Sequence, residues 1–103
     1  MALTTLLAET GVAGTVGSSA LVSTTVTSRQ LQFNPKTGQG FSGTLIVEGS
    51  SAGSPGNSDW SQLAEVIFSA HTQNFVITMQ TSIPWMRVRV TAGTLGAVSV
   101  YMA

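Results

Sequence analysis

WMRVRV, residues 85–90, alternates so that Trp85, Arg87 and Arg89 fall on one face of an extended chain and Met86, Val88 and Val90 on the other. A run of this period is a strand with one buried side. It also places two of the four basic residues of the chain two positions apart. That placement needs a reason, because only 8% of the residues are charged, against about 25% in a typical soluble domain.

Working outward, AVSVYM (97–102) repeats the period, with Val98, Val100 and Met102 opposed to Ser99 and Tyr101. The two runs are expected to pair as a hairpin whose valines enter the core. The arginines then face outward near Trp85, Ser99 and Tyr101. Arg87, Arg89, Trp85 and Tyr101 form the candidate interface on this reading, since guanidinium groups stack on aromatic rings and both are enriched where proteins meet. The plainer reading, a strand face kept soluble by its arginines, stands beside it.

The same alternation recurs upstream. In FSGTLIVEG (41–49), Phe41, Gly43, Leu45 and Val47 share a face, and Ile46 breaks the pattern as a strand covered on both sides would. NFVITMQ (74–80) sets Phe75, Ile77 and Met79 against Val76, Thr78 and Gln80. SSALVSTTVTSRQLQF (18–33) reads as one long strand or two, with Arg29, Leu31 and Phe33 in phase. LAEVIF (63–68) is compatible with a helix, but Val66, Ile67 and Phe68 favour a strand. No window sustains helical apolar spacing.

Turn clusters at 34–40, 49–59 and 92–96 separate these runs. The 103 residues suffice for one domain with a core of its own. The fold is therefore expected to be all-β, a single antiparallel β-sandwich of jelly-roll or immunoglobulin-like type. Residues 1–17, rich in glycine, are expected as a flexible arm, and residues 18–103 as the sandwich domain.

Composition narrows the function. The chain has no cysteine and no net formal charge, and its 43% apolar content is ordinary, so Ser, Thr and Gly stand where charges usually do. A neutral polar surface lacks the repulsion that keeps copies apart, which favours life in an assembly. Balanced charge argues against nucleic acid as a partner, and no apolar run approaches the roughly 20 residues that span a bilayer. A signal peptide is not expected, because the start lacks a basic segment and is interrupted by Glu9, Gly11 and Gly14.

Chemistry-bearing patterns are sparse. Gly38 to Gly43 spells G-x-G-x-x-G, but the segment after it reads as a strand, whereas a dinucleotide site needs a helix there. His71 is the only histidine, without a local triad signature, and reads as a polar loop residue. Glu48, Asp59 and Glu65 are candidate carboxylates for sugar hydrolysis or calcium, yet they are scattered. No enzyme, metal or cofactor is expected. Trp60, Trp85 and Tyr101 would make a sugar-stacking platform if they converge.

One order of features goes further. GTLIVEGS (43–50), a Gly/Ser/Asn loop, Asp59-Trp60, Leu63-Ala64, a strand, and then PWMRVRVTAGTLGAVSVYM (84–102) together resemble small β-sandwich virion proteins of tailed bacteriophages. The likeness covers residues 41–102. It implies a head decoration or cement protein on the capsid exterior, often a homotrimer, that bridges neighbouring major capsid subunits. The alternative within the same resemblance is a head-fibre or tail-appendage module that binds host surface glycans.

Overall fold

The computed structural model describes residues 4–22, 25 and 27–103, which form eight strands. These are β1 (Thr4–Thr10), β2 (Ala20–Leu21), β3 (Ser28–Pro35), β4 (Phe41–Ser50), β5 (Ser61–His71), β6 (Phe75–Gln80), β7 (Trp85–Leu95) and β8 (Val98–Met102). The expected run at 18–33 is thus two strands; residues 23, 24 and 26 between them lie outside the described residues.

The antiparallel pairs β1·β8, β2·β7, β3·β6 and β4·β5 nest like one long hairpin whose tip is the 51–60 loop. Two further pairings, β3·β8 and β4·β7, join them into sheet A, β1-β8-β3-β6, and sheet B, β2-β7-β4-β5. A long hairpin rolled into two facing sheets is the jelly-roll wind. Of the two sandwich types expected, the strand order selects this one over the immunoglobulin type.

Between the sheets, Leu31, Phe33, Val98 and Val100 meet Leu45, Val47, Val88 and Val90, all at most 1% exposed. These are the inward positions that the alternation assigns. β4 is central in sheet B, and Leu45 to Ser50 are all buried, so the break at Ile46 does mark a strand covered on both sides.

Two expectations fail. β7 and β8 do not form a hairpin; they lie in opposite sheets. β7 is occupied on one side by β4 and on the other by β2 and residues 14–17, while β8 is held between β1 and β3. Neither has an edge to offer the other, and the chain crosses at Gly96, whose φ of 74° suits glycine. The expected turn at 92–96 is accordingly mostly strand, with β7 running to Leu95.

The second correction concerns the start. Residues 4–10 of the expected arm are β1, with Leu6 and Leu7 at 0% and 1% exposure in the core. The register slips between Thr5 and Leu7, a bulge that turns two adjacent leucines inward. The link to β2 is sewn onto the margin of β7, where Gly14 and Gly17 donate to the Val90 and Val88 carbonyls at 2.7 and 2.8 Å.

Candidate interaction surface

Because Met86, Val88 and Val90 point into the core, Trp85, Arg87 and Arg89 must stand on the outer face of sheet B. Register carries that face across the sheet. Arg87 lies opposite Glu48, Arg89 opposite Ile46 and Trp85 opposite Ser50 on β4. Beyond them Glu65 flanks Ile46, and Ile67 flanks Thr44, on β5. On the other side Leu21 faces Trp85, and Val16 faces Arg89.

Glu48 organises the centre. Its side chain is 7% exposed, and each carboxylate oxygen accepts from a different arginine: Oε1 from Arg87 Nε at 2.8 Å, Oε2 from Arg89 Nε at 2.9 Å. Arg87 also lies over the Trp60 ring, 4.3 Å from its centroid. These are charge-assisted and cation–π contacts, strongest where water is excluded. A carboxylate buried this deeply needs a cationic partner, since an unpaired charge inside a protein is costly, and here each oxygen has one. Two arginines spaced by two residues supply them from one face of one strand.

The clamp leaves one surplus positive charge. Arg87 is 14% exposed and turned onto Glu48 and Trp60, whereas Arg89 is 38% exposed and presents the accessible charge. Around it stand Val16, Leu21 and Ile67, with Ile67 71% exposed. The result is a largely apolar and aromatic face with one accessible guanidinium near its middle and the exposed carboxylate of Glu65 on the edge strand β5.

Tyr101 and Ser99 are elsewhere. They lie on the outer face of sheet A, where Tyr101 opposes Thr5 and Gln32, and Ser99 opposes Asn34. Of the four candidate interface residues, the structure brings Trp85, Arg87 and Arg89 together and sets Tyr101 across the sandwich. The three-aromatic platform does not assemble either. Trp60 and Trp85 share a face, but Arg87 caps one side of the Trp60 ring and Tyr101 is on the other sheet.

Of the remaining polar candidates, Glu65 is exposed on β5, Asp59 is held within its loop, and His71 packs among aromatic rings with its Nε2 buried and, among the described residues, without a hydrogen-bond partner. Asp59 Oδ2 accepts from the Gly56 amide at 2.7 Å within its own loop. His71 ends β5 instead of lying in a loop, and its ring packs 5.3 Å from Phe68 and 5.9 Å from Phe75. Gly38, with φ 87°, turns the chain from β3 into β4, so the glycine motif joins two strands. Among the described residues no group of three His, Cys, Asp or Glu side chains is placed to hold a metal.

Arg29 is a polar residue whose role the sequence does not reveal. It is 1% exposed, and its Nη1 donates to the Ile83 carbonyl and to Met86 Sδ, tying the 81–84 loop to both sheets. Burial pushes its pKa below the usual arginine value. Its phase with Leu31 and Phe33 was the available signal. Comparison of the chain with protein-family models, with curated proteins and with solved structures finds no match.

Proposed function

We propose that this chain is a non-enzymatic structural protein of a tailed-phage virion. On this reading it is a head decoration or cement protein that binds major capsid subunits on the capsid exterior and bridges them. One observation carries the reading: of the segments that bear the resemblance, 43–50, 59–64 and the first part of 84–102 meet in sheet B and contribute to its outer face, while the last part of 84–102, β8, lies in sheet A. Its mixture of half-buried tryptophans, exposed aliphatics and one accessible arginine is of the kind enriched where proteins meet. Arg89 is the residue of this face suited to a neighbouring carboxylate.

The mechanism is mechanical. A subunit seated across a joint between capsomers adds binding free energy to the shell geometry that offers the joint, and so shifts the shell toward that geometry. Co-sedimentation with expanded heads and with precursor shells tests this, with saturable binding to expanded heads expected. The second reading, a fibre or appendage module for host glycans, is favoured by Trp60 and Trp85 on one face. It predicts retention on host surface polysaccharide, which the decoration reading does not.

A further inference from the structure

A sandwich of two open sheets has four edges, and three of these are guarded. β1 slips register twice along its pairing with β8, and β2 is two residues long. β5 slips register twice against β4, carries Glu65, and kinks near its end at Ala70, whose φ is 46°. Bulges, short length and charge are the usual means by which edges avoid pairing with other chains.

β6 has none of them. Its six residues, FVITMQ, keep unbroken register with β3 from Phe75 to Gln80 and include no charge and no proline. Phe75 and Val76 are 38% and 52% exposed. Among the described residues β6 pairs with β3 alone, so its far side offers a straight row of backbone donors and acceptors.

We propose that β6 pairs antiparallel with β6 of a second copy, fusing two A sheets into one sheet of eight strands about a twofold axis. Self-pairing suits this strand because it sets neutral side chains against neutral ones, whereas β5 would bring Glu65 toward its twin. Face parity fixes the axis. Phe75, Ile77 and Met79 point inward opposite Phe33, Leu31 and Arg29, and Val76, Thr78 and Gln80 point outward. A continuous sheet must match inward with inward, so one residue of β6 lies directly opposite its own twin, with the axis midway between the two. The contact is isologous and closes at two copies, in place of the trimer that the resemblance implies, and it does not depend on head binding.

The chain has no cysteine, so introduced thiols report cleanly. Val76→Cys, Thr78→Cys and Gln80→Cys, oxidised singly and in equimolar pairs, are compared with Thr94→Cys at an exposed position of β7. Paired antiparallel residues have Cα atoms about 4.5–5.5 Å apart, within disulfide reach. At least one β6 combination should cross-link at least about tenfold faster than Thr94→Cys, because pairing raises the local thiol concentration. Light scattering of the wild-type chain should show a mass rising with concentration to that of a dimer. Val76→Lys/Thr78→Lys should lower it to a monomer with an unchanged circular dichroism spectrum. A wild-type monomer at every concentration, a trimer, or β6 cross-linking no faster than the control would overturn the proposal, whether or not the lysine variant folds.

Discussion

Glu48 sets the value of each arginine beside it. Replacing it with Ala leaves two guanidinium groups without their shared carboxylate, one of them nearly covered. Breaking a buried ion pair in this way costs about 3–5 kcal/mol, and urea unfolding of Glu48→Ala should show a loss of that order. Arg89→Ala should cost no more than about 1 kcal/mol, since that side chain is half in water and Arg87 still holds the carboxylate. Equal losses for the two variants would count against the clamp. The outward pair of arginines is legible in WMRVRV, because alternation assigns faces. Their partner is not, since Glu48 reaches them through cross-strand register, which no local period encodes. Glycines make a second case. A Cβ on Gly11 would lie 2.0 Å from the Gly96 carbonyl oxygen, and one on Gly93 would lie 1.9 Å from that of Gly11. Gly11→Ala and Gly93→Ala should each cost at least about 2 kcal/mol, seen as a fall of roughly 10 °C in Tm.

At the scale of elements, one end of the sandwich rests on aromatic packing between β5 and its neighbours. Phe68 meets Phe41, Phe33 and Phe75 at centroid distances of 5.6, 5.8 and 6.1 Å. Phe68→Ala should cost about 3–5 kcal/mol, measured by denaturant unfolding, with the largest loss of amide protection in β5 and β6. LAEVIF was readable as this strand because Val, Ile and Phe suit a pleated surface. β1 was not readable. Its adjacent Leu6 and Leu7 break the two-residue period, and only the bulge at Thr5 explains how both enter the core. The link from β7 to β8 misleads for a related reason: a short glycine turn between two alternating runs is what a hairpin looks like in one dimension. Whether it closes one depends on edges already filled by β2, β4, β1 and β3.

At the scale of the whole molecule, the 38 × 30 × 18 Å envelope is a slab with two broad faces. The outer face of sheet A shows hydroxyl and amide side chains such as Gln32, Asn34 and Thr78, while that of sheet B shows the clamp and its apolar surroundings. The all-β class followed from periodicity; the jelly-roll order did not, because pairings such as β1 with β8 join residues nearly a full chain length apart. If sheet B is the docking face, Ile67→Glu should weaken attachment by at least about tenfold, because it would bury a charge at an exposed apolar contact of that face. The mutation should leave Tm within a few degrees, since Ile67 is 71% exposed. The measurement that bears most directly on the proposed role is a binding isotherm of the wild-type chain and Ile67→Glu on expanded phage heads. The account expects saturation at a fixed number of copies per head for the first and a shifted curve for the second. Folded wild-type protein that does not bind heads at all would contradict it.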